Sequence, residues 1–314
     1  NSFGQVGLIQ IPTADSRPEG TVSFTFNRNE IWKFGTLTIS PFDWLEASYF
    51  YYRPSDLIWE GNSVRGDYLD KGFNVKLIYR PQNQHLPNLA IGLDDFAGTG
   101  FFSREYIVSS LKVNKIKGSL GIGWGKFASQ DTFKNPFTAI SDRFAYRTTN
   151  TESGTPAFNE WFRGNASLFG GIEYSFSKIN GLKLKIEYDP FNYNDFSANN
   201  RGDIIEELRK KDSDINFGIT FPINKYVTID TSFIKGNTIN ASFNISIPFK
   251  EDIQKKTAFN PEIVKNKTTE SKFTFYDDLL FNLNKNELFL QTANIDENKK
   301  LDVSISTSKY RNHI

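Results

Sequence analysis

The chain has 314 residues, with 37 Lys+Arg against 36 Asp+Glu. A net charge of +1 lacks the basic excess of a nucleic-acid binder. It contains no Cys, which excludes disulfide frameworks, thiolate metal sites and cysteine nucleophiles, and only two His, His85 and His313, which leaves no histidine pair for a zinc motif. No stretch approaches the ~18–20 consecutive apolar residues of a spanning helix. Yet aromatic residues reach 15%, with 30 Phe and 13 Tyr, at a mean hydropathy of −0.46. Heavy aromatic loading at low hydropathy is what strands alternating apolar and polar residues produce in a membrane β-barrel. The chain opens at Asn1 with no secretory pattern and contains no Met, as expected of a removed leader or an excerpt of a longer chain.

Residues 1–19 show no regular period and are expected to lie in the periplasm or to plug a barrel. From Gly20 the chain becomes a succession of alternating segments of about ten residues separated by turn signals. The predicted strands run Thr21–Asn27, Ile31–Ser40, Trp44–Arg53, Lys71–Arg80, Asn88–Asp95, Arg104–Val113, Ser119–Phe127, Ala166–Ser177, Leu182–Tyr188, Asp214–Phe221, Tyr226–Lys235 and Asn237–Phe249. About twelve strands are therefore expected over residues 20–249, each near the ~9–11 residues that a tilted strand needs to cross a bilayer. Asn180-Gly181 marks a hairpin turn. Short turns alternate with longer polar loops at Pro54–Asp70, Ala128–Gly164 and Phe191–Ser213, the asymmetry of outer-membrane barrels. Residues 250–272 read as a charged linker and 273–314 as a small, truncated α+β segment, with a helix over Phe273–Asn284 and strands over Glu287–Ala293 and Lys300–Tyr310.

Lys or Arg near the bilayer midplane costs ~2–4 kcal/mol, which selects the lipid face of each strand. Phe73, Val75, Leu77 and Tyr79 then face lipid, while Lys76, Arg80, Lys183, Lys185, Glu187 and Asp230 face the lumen. Such a lumen offers hydrogen bonds to sugar hydroxyls, or forms a solvated, internally paired wall. Trp32, Trp44, Tyr49, Tyr51, Tyr79, Trp124, Tyr174, Tyr188 and Tyr226 lie near segment ends, as expected of aromatic girdles; the alternative is the core of a β-sandwich.

Catalytic and cofactor motifs are weak. Gly121–Lys126 lacks the first Gly and the final Ser/Thr of a phosphate loop. Asp94 and Asp95 are adjacent in a predicted strand, so they are expected on opposite faces, unable to flank one glycosidic bond. His85 sits in a Pro-bounded turn with no GxSxG element to serve. A non-enzymatic protein without a cofactor or metal is expected.

Several words occur in a fixed order: Gly7-Leu8-Ile9-Gln10-Ile11-Pro12-Thr13-Ala14, Pro41-Phe42-Asp43-Trp44-Leu45-Glu46-Ala47, Asp70-Lys71-Gly72-Phe73, Leu93–Gly100, Gly121–Gly125, Asn135-Pro136-Phe137, Trp161–Gly164 and Phe169-Gly170-Gly171. Over about residues 7–177 this series resembles the YjbH-like exopolysaccharide and capsule outer-membrane proteins, and Tyr276–Leu280 is compatible. The resemblance implies an all-β, antiparallel transmembrane barrel in the bacterial outer membrane, acting in secretion or assembly of exopolysaccharide or capsule, with a periplasmic C-terminal segment. It transfers no catalytic residue. It implies the lipid bilayer, exopolysaccharide and other export proteins as partners. Asn240–Phe249, an alternating strand ending in Phe, resembles the signal read by the barrel assembly machinery. A general porin and a soluble carbohydrate-active β-sandwich protein are the alternatives.

Overall fold

The computed structural model describes residues 3–55, 58–60, 65–67, 69–83, 85–98, 100, 102–148, 156, 158–179, 181–193, 208–249, 275–286, 288–298 and 300–307. The strands are β1 (Thr21–Arg28), β2 (Trp32–Phe42), β3 (Leu45–Pro54), β4 (Ile58–Glu60), β5 (Arg65–Asp67), β6 (Asp70–Tyr79), β7 (Asn88–Asp94), β8 (Arg104–Val113), β9 (Ile116–Gly125), β10 (Ser167–Ser175), β11 (Lys183–Tyr188), β12 (Ile215–Pro222), β13 (Val227–Ile234) and β14 (Thr238–Pro248). Twelve of them close into one barrel in the order β1-β14-β13-β12-β11-β10-β9-β8-β7-β6-β3-β2. β4 and β5 form a small hairpin in the connection from β3 to β6. Every predicted barrel strand is present, with its ends shifted by no more than a few residues.

All pairings in the barrel are antiparallel and join successive barrel strands, β3 to β6 across the β4–β5 hairpin, and the seam closes the ring by pairing β1 with β14 from Thr21↔Pro248 to Arg28↔Ala241. Closure leaves the barrel no edge strand, which the hydrocarbon region requires because it offers no partner to a free N–H or C=O. At one end, the turn end, lie the connections Phe42–Leu45, Arg80–Pro87, Asn114–Lys115, Phe176–Leu182 and Ile223–Tyr226, together with Gly20 and Phe249, whose backbones hydrogen-bond at 3.0 Å. The opposite, loop end carries the three long predicted loops and Asp95–Ser103. Parts of the long loops, Asn180 and the predicted linker 250–272 lie outside the described residues.

Side chains alternate across the wall. In β1, Thr21, Ser23, Thr25 and Asn27 are buried inward, while Phe24 and Phe26 are exposed outward. Leu37, Phe73, Leu77, Leu184, Ile186, Phe217 and Phe243 continue the outer apolar band. Apolar side chains exposed on a closed cylinder are the arrangement of a barrel whose solvent is lipid, not of a sandwich that hides them between sheets. Trp44 is exposed in the β2–β3 turn and stacks on Phe42; Tyr49, Tyr51, Tyr79 and Tyr174 are exposed, and Tyr188 and Tyr226 half-buried.

Trp32 and Trp124 depart from the girdle expectation, for both are buried: Trp32 points into the interior beside Tyr52, whereas Trp124 shares the outer face of β9 with Leu120 and is covered by Phe137 and Phe162 of the β9–β10 connection. Trp32 stacks on Tyr193 at 5.4 Å, and Trp124 on Phe137 at 5.3 Å. Loop and N-terminal side chains pack the interior near the loop end, so Trp32 finds apolar partners inside, while a loop folded over the strand end shields Trp124 from outside.

Residues 253–314 form a second compact unit. It contains α1 (Phe275–Lys285) and the antiparallel pair β15 (Leu288–Ile295) and β16 (Leu301–Thr307), with a register irregularity between Leu290 and Thr292. Asp277 and Asp278 in the first turn of α1 and Lys285 in its last suit the helix dipole.

Placing a cation on the outer face tests the assignment of faces. Phe24→Arg in β1 is expected to cost at least ~2–4 kcal/mol, read as loss of the compact, heat-modifiable band on a gel, whereas Thr25→Ser on the inner face leaves that band intact.

Candidate functional site in the barrel lumen

The interior is organised by residues 3–17, which run inside the barrel. Gly7 bridges Pro12, and the N–H of Leu8 donates to Ile11 O at 3.0 Å, making a tight reversal. That reversal presents three consecutive N–H groups to one carboxylate: Ile9, Gln10 and Ile11 donate to Glu187 at 2.8, 2.7 and 3.4 Å. Asn216 Nδ2 donates to the same carboxylate at 3.0 Å. Successive N–H groups in a turn form an anion-binding concavity, here occupied by a wall side chain.

A second anchor is Glu46 of β3. It accepts from Val6 N–H at 3.0 Å and pairs with Arg17 and Lys76, each at 2.8 Å. Lys76 also donates to Val6 O at 3.0 Å, and Lys185 to Leu8 O at 3.2 Å. Arg104, paired with Asp94 at 2.6 Å, sits over the rings of Phe3 and Phe127 at 3.8 and 4.4 Å. Tyr106 Oη donates to Gln5 at 2.9 Å, and Ala14 N–H to Ser110 Oγ at 2.9 Å.

Apolar packing reinforces this grip. Phe3 and Ile9 join Trp32, Phe34, Phe50 and Phe102 near the loop end, while Leu8, Ile11 and Ala14 join Tyr106, Phe127 and Phe169. Two wall glycines make room: a Cβ at Gly171 would lie 2.5 Å from Leu8 Cδ1, and one at Gly218 2.9 Å from Ile9 Cγ1.

The residues assigned to the lumen from the sequence divide into three settings. Lys76 and Glu187 are fully buried against the inner segment. Lys183, Lys185 and Asp230 line open space nearer the turn end, with Lys185 and Asp230 paired at 3.2 Å. Arg80 lies just past β6, exposed at the turn end, donating to Asp43 O at 2.7 Å and Ser16 Oγ at 2.6 Å. Glu46, Arg104, Lys117 and Glu173 belong to the same interior. The strand parity that picks Lys76 and Lys185 also picks Glu46 and Glu173.

The space left beside the inner segment is a cavity of about 620 Å³ at the turn-end side. Its wall comes from β9–β14 and β1, with Thr25, Thr228, Ser232, Asn240, Ser242 and Asn244 offering hydroxyls and amides. Lys117 joins Asp15 at 2.8 Å, and Lys183 joins Glu173 at 3.0 Å, across its rim. The arrangement can hydrogen-bond and charge-pair a polar ligand.

Asp94 and Asp95 correct the expectation of opposite faces: both are buried. Asp95 lies beyond the end of β7 with φ +54°, a left-handed conformation that breaks the alternation. Its carboxylate accepts from Phe102 N–H at 3.0 Å and ties down the 95–103 connection. Burial, with smaller contributions from the Asp70 and Asp94 charges, pushes its pKa up to about 8 despite the Phe102 bond.

A model of the family described as exopolysaccharide biosynthesis protein YbjH matches residues 1–313 of this chain. The chain belongs to that family. It is 31% identical over 255 residues to the uncharacterized lipoprotein YjbH of Escherichia coli K12, a match that covers 80% of this chain but 35% of that relative's length. Among solved structures it resembles the KdgM porin, at 10% identity and TM-score 0.36 over 73% of this chain and 99% of that one. It also resembles the outer membrane phospholipase A of Escherichia coli, at 12% identity and TM-score 0.31 over 73% of this chain and 97% of that one.

Two outcomes follow from this geometry. Glu187→Ala removes one carboxylate from four donors; at roughly 1.5–3 kcal/mol for a charge-assisted bond, the inner segment is expected to loosen. Limited proteolysis within residues 3–17 and conductance in planar bilayers should both rise while the barrel stays heat-modifiable. Asp95, with a folded pKa raised above the unfolded 3.8 to about 8, gives stability that is complete below about pH 4 and is lost as pH rises through about 8. The thermal midpoint of the wild type should fall between about pH 5 and pH 9 relative to Asp95→Asn, which removes the titration.

Proposed function

We propose that this chain is the membrane-embedded, non-enzymatic part of an outer-membrane apparatus that secretes or assembles exopolysaccharide or capsule. The observation that carries the reading is a closed barrel with a polar cavity, found in a chain of the exopolysaccharide-biosynthesis family. Outer-membrane barrels keep short turns on the periplasmic side and long loops outside, which orients the turn end, and with it the cavity, toward the periplasm. The route is passive: the wall and cavity guide the polymer, and energy comes from partner export proteins.

The inner segment separates this reading from a general porin, because anchors at Glu46 and Glu187 hold it across the lumen. Phe249, exposed at the turn end, suits recognition by the barrel assembly machinery during insertion. The segment 273–314 then lies in the periplasm beside the export partners.

Deleting the gene in the bacterium that encodes it is expected to lower cell-surface polymer several-fold and leave polymer in the periplasm. Surface polymer unchanged by the deletion, together with high, open conductance of the purified barrel, would replace this reading with the porin one.

A further inference from the structure

We infer that the turn-end cavity is a binding site for an acidic oligosaccharide, a sugar chain bearing carboxylates or comparable anionic groups. The inference names the substrate class for the secretion reading above and rests on it.

Three observations on this side of the barrel converge. The first is chemical. Among the described residues lining the cavity none is aromatic, so no ring is offered to the apolar face of a neutral sugar. Beside the aliphatic side chains of Val6, Leu8, Ile9, Ile219 and Ile223, the lining offers hydroxyls, amides and cations. The second is charge. Arg17, Lys117, Lys183, Lys185 and Lys225 line the cavity against Glu173 and Asp230. Asp15 and Glu46 pair with Lys117 and Arg17 from behind, and cations still exceed carboxylates when both are included.

The third is placement. The three turns that border this cavity, Asn114–Lys115, Phe176–Leu182 and Ile223–Tyr226, carry Lys115, Lys178 and Lys225 and no Asp or Glu, and Lys112, Lys117 and Lys183 flank them at the strand ends. The other turn-end connections carry Asp43 beside Arg80, and Glu19 precedes β1. Among the described residues a basic collar therefore stands over the side where the barrel has room inside. Low-dielectric walls focus such a field and raise the local concentration of an anionic chain before it enters. Inside, Lys183 is 36% and Asp230 30% exposed, so their pairs with Glu173 and Lys185 are open to exchange for a ligand carboxylate. The volume of about 620 Å³ lies within the ~300–1,000 Å³ of small-ligand sites.

The same collar would also suit anionic lipid headgroups at the membrane surface, and the test separates the two. The full chain, folded in detergent, is titrated by calorimetry with a mannuronate hexamer and with maltohexaose. The acidic hexamer is expected to bind at least tenfold more tightly, and the preference should collapse in about 0.5 M salt. Lys183→Gln combined with Lys225→Gln should weaken the acidic hexamer about fivefold to tenfold, with heat-modifiability reporting that the barrel remains folded. Equal affinity for the two sugars, or an affinity unmoved by the double variant, overturns the inference. So does a double variant that loses only binding to phosphatidylglycerol vesicles. Binding of maltohexaose alone overturns the acidic class while leaving the secretion reading intact, since that reading is decided by the gene-deletion strain.

Discussion

Hydrocarbon offers no hydrogen-bond partner, and this single constraint shapes the molecule. Each strand must satisfy its backbone on a neighbour, so the first strand must find the last. The β1–β14 seam meets the requirement over eight register pairs, from Thr21↔Pro248 to Arg28↔Ala241. Across that seam the inner face is polar as well: Ser23 meets Ser246, Thr25 bonds Asn244 at 2.8 Å, and Asn27 bonds Asn240 at 2.8 Å and Ser242 at 2.6 Å. Side-chain ladders inside thus repeat the backbone ladder in the wall. Apolar residues outside need no partner beyond lipid.

Closing twelve strands creates the second problem, an interior too wide for its own side chains. Two solutions operate in different parts of the lumen. Toward the loop end, Phe34 of the wall and Phe102 pack on Phe3, and Tyr193 stacks on Trp32 in the same cluster. Through the middle, a chain segment is held by charge. Glu46, Lys76 and Arg17 form a buried ionic group, and such a group tolerates loss of a single member poorly because the remaining charge has no water to turn to. The cavity is what remains where neither solution reaches.

The wall was legible in the sequence because period-two alternation is strong wherever one face meets lipid and the other does not. Thr21–Asn27 and Asn237–Phe249 needed no context to read. The contents of the lumen were far less legible. Trp32 sits near a strand end as girdle residues do, and its residue type is the same whether the ring meets headgroups or Tyr193 inside; Trp124, on the outer face, is covered by Phe137 of a loop that its own strand does not announce. Residues 3–17 carry no period at all, since their partners are Glu46, Glu187 and Ser110, at sequence separations up to 178 residues. Their apolar content, Leu8, Ile9 and Ile11 beside Gly7 and Pro12, was the available hint of burial. Asp95 misled for a local reason: a left-handed residue at the end of β7 cancels the rule that neighbours face opposite ways.

Glu187 holds its partner by main-chain amides, and that has an evolutionary consequence. A grip on the backbone is blind to side-chain identity, so Ile9, Gln10 and Ile11 are free to drift, within the limits of fit, without releasing the clasp. The substitution it cannot accommodate is proline, which brings no amide hydrogen to offer. Variation would therefore accumulate on the clasped segment while the clasp itself stays an acid.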